Sequence, residues 1–279
     1  MVSRLSVTVL AENWAYEPGL LAEHGLAYFI ETDGARILFD TGQGMALAHN
    51  AKQLGISLEQ LDAIVLSHGH LDHSGGLVEA LRAAGRARVF VHPAALGPRY
   101  AQRDKPPRRS AGMPGLCVQE LERVAGRVRW TESPTEVIPG IWVTGEIPRR
   151  TSFENTSREF YRDAECLDPD PIPDDQALVI DTATGPVILL GCAHAGVVNT
   201  LAYVGHLSGQ SRIRAVAGGF HLMRAGRERI DDTCDALEQF RVETIAAGHC
   251  TGWRAIAQLH RSLGDCVIPC CAGTTLTLG

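Results

Sequence analysis

The sequence predicts an α/β fold, and three observations carry that prediction. Apolar runs of strand length end in short polar turns and are followed by helical periodicity. Those turns repeatedly carry histidine. The second half of the chain also repeats the order of the first: hairpin, strand, turn, helix. With 279 residues, 45% hydrophobic and 21% charged, the composition is that of an ordinary globular protein.

The elements follow in order. Residues 4–10 and 26–32 read as strands, joined by a loop holding Glu23-His24-Gly25. Asp33-Gly34 is a tight-turn signal. Residues 36–40 continue as a strand, so 26–40 is a predicted hairpin ending in Phe39-Asp40-Thr41-Gly42. Helical periodicity covers 45–54, a strand 61–66, a helix 77–84 and a strand 87–91, which ends at His92-Pro93.

Residues 97–115 break the pattern. They are rich in Pro and Gly and carry Arg99, Arg103, Lys105, Arg108 and Arg109. On a chain of net charge −6 this basic cluster reads as a flap for an anionic substrate, since Arg and Lys pair with phosphate and carboxylate, or as a solvated loop. A helix at 116–125 and short strands at 128–131, 135–138 and 141–144 come next. Residues 155–175 form a second long excursion, polar and acidic. Loops of that length line a site or are disordered.

Asp174-Asp175-Gln176 returns the chain to a strand at 178–181, whose hairpin partner is 185–190. That partner ends in Gly191-Cys192-Ala193-His194, before a helix at 197–207. A strand at 213–217 ends in Gly218-Gly219-Phe220-His221. A helix follows at 231–240, with acidic residues in its first turn. The strand 242–247 ends in Gly248-His249-Cys250, before a helix at 254–263. Residues 266–269 and 273–278 are expected to close the sheet.

One stretch organises the rest: Ile64-Val-Leu-Ser-His-Gly-His-Leu-Asp-His-Ser-Gly-Gly76. It places His68, His70, Asp72 and His73 at a strand's C-terminal end, where open α/β sheets carry their sites. Three of the chain's 11 histidines fall here. Imidazole and carboxylate suit Zn²⁺, Mn²⁺ or Fe²⁺. Two histidines one residue apart can converge on one ion, and the Asp-His pair can face a second. Ions about 3.5–4 Å apart can hold a hydroxide between them. His194, His221 and His249 also directly follow apolar strands. A lone core histidine explains one such position and not the series.

Other classes are disfavoured. A net charge of −6 gives no electrostatic support for nucleic-acid binding. No apolar run approaches the ~18 residues that span a bilayer. The N-terminus alternates like a strand and lacks a signal-peptide core, so no membrane partner and a cytoplasmic location are expected. The eight cysteines show no Cys-x-x-Cys pairing and are expected to be thiols. The Cys266, Cys270 and Cys271 cluster reads as small buried residues, with a second metal or redox site as the other reading.

Residues 68–73 resemble the His-x-His-x-Asp-His signature of the metallo-β-lactamase superfamily. The resemblance implies an αββα sandwich with ligands at one edge, holding one or two ions: Zn²⁺, with Mn²⁺ or Fe²⁺ as alternatives. It implies a first site of His68, His70 and His194 and a second of Asp72, His73 and His249. It makes Asp40 the carboxylate that orients a ligand imidazole, and His92 a structural or rim residue. The superfamily often has a bridging Asp where this chain has His221. A neutral imidazole cannot bridge, so the second site is weaker, the chain holds one ion, or His221 faces the substrate.

A more specific similarity runs through Glu23-His24-Gly25-Leu26, Phe39-Asp40-Thr41-Gly42, residues 67–76, Gly145-Glu-Ile-Pro-Arg149, Phe153-Glu154, Asp174-Asp-Gln-Ala-Leu178, Gly191-Cys-Ala-His-Ala-Gly196, Gly218-Gly-Phe-His-Leu222 and Gly248-His-Cys-Thr-Gly252. These match the subgroup labelled 7,8-dihydropterin-6-yl-methyl-4-(β-D-ribofuranosyl)aminobenzene 5′-phosphate synthase, many of whose members carry only the name of a metallo-β-lactamase-fold metallohydrolase. The match covers nearly the whole chain and implies a single domain, 1–279, with excursions at about 97–115 and 147–175 covering the site.

The expected function is therefore a metal-dependent hydrolase. Metal-bound hydroxide would attack an ester or phosphoester-like bond of an anionic small molecule, with Asp72 as proton acceptor. In the synthase alternative the metal steadies a departing pyrophosphate, while Arg149, Arg108 and Arg109 hold a ribose phosphate. A non-catalytic metal-binding sensor is the third reading. A homodimer is possible.

Overall fold

The computed structural model describes residues 1–102, 109–154 and 159–278. Seven strands form one sheet, in the order Thr275–Thr277, Leu5–Ala11, Ala27–Thr32, Arg36–Phe39, Ala63–Val65, Arg88–Val91 and Val128–Trp130. Pairing is antiparallel up to Arg36–Phe39 and parallel beyond it. Six strands form a second sheet: Thr244–Gly248, Ala215–Gly219, Gly185–Leu189, Leu178–Thr182, Ile141–Val143 and Thr135–Ile138. The first three of these run parallel to one another.

The period of two along each strand divides its side chains between two cores. Ile37, Phe39, Ala63 and Val65 face the second sheet, which contributes Ile180, Val187, Leu189 and Ala215 to the same interior. Leu38 and Ile64 point the other way, onto the helices Leu47–Gln53, Leu77–Ala83 and Gly115–Arg123. On the second sheet Ile188 and Val216 pack outward against Val197–Ser208, Arg227–Gln239 and Trp253–Leu263. Both faces of each central strand are thus buried, which is why these strands read as unbroken apolar runs. The result is the expected αββα sandwich. Among the described residues no helix is long and apolar enough to cross a membrane.

Three expectations change. Residues 266–269 are not a strand. Gly264–Cys266 is a 3₁₀ turn, Val267 makes one isolated bridge to Ile245, and Pro269 has no N–H to extend a ladder. The first sheet is closed by Thr275–Thr277 alone, against Leu5–Ala11. The helix expected from 231 begins at Arg227. Asp72 and His73 lie not on an open loop but in a one-turn helix, Leu71–Ser74. All eight cysteines are free thiols, and Cys270 is buried with its sulfur 3.5 Å from the Tyr28 hydroxyl.

The two excursions meet each other. Tyr100–Ala101, Arg109–Ser110 and Phe160–Tyr161 form a small three-stranded sheet. Arg99 is not a flap cation. It is buried, with Nε donating to Asp170 at 2.6 Å and Nη1 to Asp174 at 2.8 Å. The expected flap residues Arg103, Lys105 and Arg108 lie outside the described residues.

Candidate metal centre

Parallel strands bring their C-terminal ends to one edge, and the histidine-bearing turns gather there. Ala63–Val65 delivers His68 and His70, Gly185–Leu189 delivers His194, and Thr244–Gly248 delivers His249 directly. The turns are sharp. Asp40, Ala193, His221 and His249 all hold positive φ, between 50° and 60°. A non-glycine residue adopts this left-handed conformation at a cost on the order of 1–3 kcal/mol, so packing must hold each one there.

The imidazoles and one carboxylate converge as two adjoining groups. In the first, His68 Nε2 lies 2.9 Å from His70 Nδ1, and the His194 ring centroid is 4.8 Å from both rings. In the second, His73 Nε2 lies 3.2 Å from His249 Nε2, and Asp72 Oδ2 lies 3.4 Å from His249 Nε2 and 3.9 Å from His73 Nε2. The His68 and His73 rings are 4.3 Å apart, so the groups are contiguous. Donors about 2.0–2.1 Å from a tetrahedral zinc stand roughly 3.3 Å from one another. The His68–His70, His73–His249 and Asp72–His249 spacings fit such an ion.

The opposite ring nitrogens are anchored. His73 Nδ1 is 2.7 Å from Asp40 Oδ2. His68 Nδ1 is 2.9 Å from Ser67 Oγ, which itself donates to Asp40 Oδ2 at 2.6 Å. The Ser67 hydroxyl must therefore accept from His68. His249 Nδ1 is 3.1 Å from Asn13 Oδ1. Each contact places the proton on Nδ1 and turns the Nε2 lone pair inward, the usual supporting arrangement for ligand imidazoles. Asp40 thus orients two histidines, one directly and one through Ser67.

Two neighbouring carboxylates brace the loops from behind. Asp174 Oδ2 accepts from Gly69 N, between His68 and His70, at 2.8 Å, and Asp175 Oδ2 accepts from Ala195 N at 2.8 Å. Gln176 donates from Nε2 to the Leu66 carbonyl at 2.8 Å.

Electrostatics separate the two groups. Burial holds His68, His70 and His194 well below the usual imidazole range. Burial acts on His73 too, but the Asp40 and Asp72 carboxylates outweigh it and push His73 up to about 9. Burial alone would raise Asp72; the facing His73 and His249 hold it well below the usual carboxylate range. His221 stands apart from the Asp72, His73 and His249 group. Its ring is 4.6 Å from that of His194, its Nε2 is 3.6 Å from Glu159 Oε2, and its donor atom groups with the sulfurs of Cys192 and Cys250.

Above the centre is a cavity of about 720 Å³. Phe160 from the second excursion packs over His70 at 4.3 Å, and Arg109 from the first is on the wall. Arg149, expected to hold a substrate phosphate, does not line this cavity. Its guanidinium donates to the His194 carbonyl at 2.6 Å and to the Pro171 carbonyl, so it supports the His194 loop. His92 accepts from Ala94 N at 3.1 Å and caps a 3₁₀ turn. Sequence reading missed Cys192, Cys250, Glu159, Arg224 and Arg229, all at the cavity. For the two cysteines the available signal was adjacency: one precedes His194 by two residues and the other follows His249.

Comparison with known proteins identifies the family. The family description "Metallo-beta-lactamase superfamily" matches residues 21–164. A curated protein of Methanocaldococcus jannaschii, 7,8-dihydropterin-6-methyl-4-(beta-D-ribofuranosyl)-aminobenzene-5'-phosphate synthase, is 34% identical over 91% of this chain and 90% of its own length. The crystal structure of Tm1679, described as a metal-dependent hydrolase of the beta-lactamase superfamily, superposes with a TM-score of 0.80 at 29% identity, covering 98% of both chains. A diphosphatase from the PhnP family shares the fold at 15% identity and a TM-score of 0.56, covering 99% of this chain and 98% of its own. By motif, fold and relatives together, the chain belongs to the metallo-β-lactamase superfamily, a superfamily of enzymes.

Proposed function

We propose that this enzyme is a metal-dependent synthase that joins an activated dihydropterin to a phosphorylated arylamine. His68, His70 and His194 would hold one ion, and Asp72, His73 and His249 a second, zinc being the metal that best suits this donor set. Bound there, the ions supply Lewis acidity against a departing diphosphate.

The observation that carries the reading is Arg229. It stands in the first turn of the helix Arg227–Gln239, on the cavity wall, and its Nε and Nη2 are buried with no hydrogen-bond partner among the described residues. Burial draws its basicity down, and Glu154 and Glu159 compensate only in part. An unmatched guanidinium at a helix N-terminus is a site for an anion. Arg109 and Arg224 add positive charge to the same wall. The cavity volume falls within the usual range for small-molecule sites of about 300–1,000 Å³ and leaves room for two ring systems. Phe160 offers a ring face to one of them.

In this reading the arylamine nitrogen forms a bond to the pterin methylene carbon, diphosphate leaves with the bonding pair, and the amine proton passes to His24, which lines the cavity with its Nδ1 3.5 Å from Asp72 Oδ2. The relative from M. jannaschii supports the synthase chemistry by its name and its near-full-length similarity. Hydrolysis of a phosphoester at the same centre is the second reading, supported by the description of Tm1679.

The test uses purified, zinc-loaded protein with a dihydropterin 6-methyl diphosphate, a ribofuranosyl-aminobenzene phosphate, or both. Diphosphate released only when both are present supports the synthase. Release of phosphate from either substrate alone supports the hydrolase. Inactivity on all of them with ions bound removes both readings. Arg229→Gln should raise KM for the phosphorylated substrate about 10- to 100-fold, the loss of one or two charge-assisted hydrogen bonds, with kcat nearly unchanged.

A further inference from the structure

The two donor groups have no bridging carboxylate. Asp40 is committed to Ser67 and His73, and Asp72 faces His73 and His249. Past the strand Ala215–Gly219, the position where the superfamily often has such a carboxylate holds His221, whose imidazole cannot bridge and whose ring is 4.6 Å from that of His194. Nor can a side chain be added at the strand end itself. A Cβ on Gly219 would fall 2.5 Å from Cys250 Sγ, 2.7 Å from the Gly191 carbonyl and 3.3 Å from Cys192 Cα. The room that a strand-end side chain would need is filled by the turn bearing Cys192 and by the sulfur of Cys250.

Cys192 itself sits between the groups. It is buried, 4% exposed, and its Sγ is 3.2 Å from His73 Nε2. Its sulfur lies within 4.8 Å of donor atoms of His68 and His194 on one side, and of His73 and His249 on the other. Among the described residues no other side chain belongs to both sets. A thiolate sulfur has the lone pairs to bind two cations at once, which an imidazole nitrogen lacks.

We propose that Cys192 is the bridging ligand of this centre, a thiolate in place of the carboxylate that the superfamily often has. The inference rests on the two-ion reading above. On loading, the S–H bond breaks, the proton leaves to solvent, and the sulfur donates one electron pair to each ion. Cys250, whose Sγ is 3.4 Å from the Cys192 carbonyl, stands behind it and is assigned no ligand role. A soft bridge favours zinc, cobalt or iron over manganese and magnesium.

The test loads metal-free protein with cobalt(II) or zinc(II) and reads the metal, with no turnover involved. Cobalt protein should show thiolate-to-cobalt charge-transfer absorption in the wild type and in Cys250→Ser, and none in Cys192→Ser. In Cys250→Ser loaded with two zinc ions, X-ray absorption should find sulfur at about 2.3 Å, averaging about one sulfur per zinc. A terminal cysteine would average about one half. Cys192→Asp should keep two ions without the charge-transfer band, which guards against a Cys192→Ser protein that simply fails to fold. Charge transfer that survives in Cys192→Ser, or an average of one half, overturns the proposal while leaving the metal reading intact. So does a wild type that binds cobalt without the band. A wild type that binds no ion removes the metal reading and this inference with it.

Discussion

His68, His70 and His194 form a group of imidazoles alone, whereas Asp72, His73 and His249 include one carboxylate and lean on another, Asp40. The first group is fully buried, and its basicity is held down by that burial, with the Arg99 guanidinium adding to it at His70. The second faces the cavity through Asp72, and two carboxylates push His73 up to about 9. Two ways of preparing a cation site therefore stand side by side. One relies on lone pairs held in register with no proton to displace, the other on negative charge. The first depends on rigidity and the second on electrostatics, and substitutions should tell them apart.

The largest expected effect is on rigidity. Arg99→Met leaves Asp170 and Asp174 buried without their partner and slackens the bond to Gly69 behind His68 and His70. Thermal or denaturant unfolding should show a loss of about 3–5 kcal/mol. Zinc titration should then show the imidazole-only group weakened before the other. If both weaken equally, the brace is not specific to the first group.

Next comes removal of a donor from each side. His68→Ala should cost at least about 100-fold in turnover and one ion per chain, because ligands matter more than the outer partners whose loss costs about 10–100-fold. His249→Ala should lose the other ion and retain the one beside His68. Metal quantitation of the two variants would break the comparison if either protein lost both ions.

A smaller change should act on both groups. Asp40→Asn weakens the hold on His73 directly and on His68 through Ser67, so zinc affinity should fall about 10–100-fold at both positions. Among the donor residues, Asn13→Ala touches only His249 and should cost less, at one position. Competition with a chelating dye resolves the two. The smallest effect on the centre is expected from Ile64→Ala, in the outer core below the turn. It should lower stability by about 2–5 kcal/mol and leave zinc affinity unchanged.

Much of the sandwich and of the donor series could be read from the sequence because both depend on local pattern. Apolar runs such as Ala63 to Leu66 and Val187 to Leu190 end in His-bearing turns, and strands buried on both faces leave a plain signature. What escaped depends on partners far apart in the chain. Arg99 looked like one basic residue among several, and only the fold shows Asp170 and Asp174 closing around it. Arg149 was assigned to substrate because spacing cannot tell a guanidinium aimed at a ligand from one aimed at the His194 carbonyl. Arg229 lay in an ordinary charged helix start, Arg227-Glu228-Arg229, with nothing local to mark its orphaned nitrogens. Cys192 and Cys250 carry no Cys-x-x-Cys spacing, and nothing local marks either sulfur as facing the histidines.

Asp174 has one further consequence. One of its oxygens receives both the guanidinium that anchors the roofing excursions and the peptide N–H beneath the His68–His70 turn. Ceiling and floor of the chamber thus meet at this carboxylate, beside the His70–Gly112 bridge. Lifting the ceiling to admit a bulky molecule would therefore be expected to pull on the His68–His70 turn through Asp174.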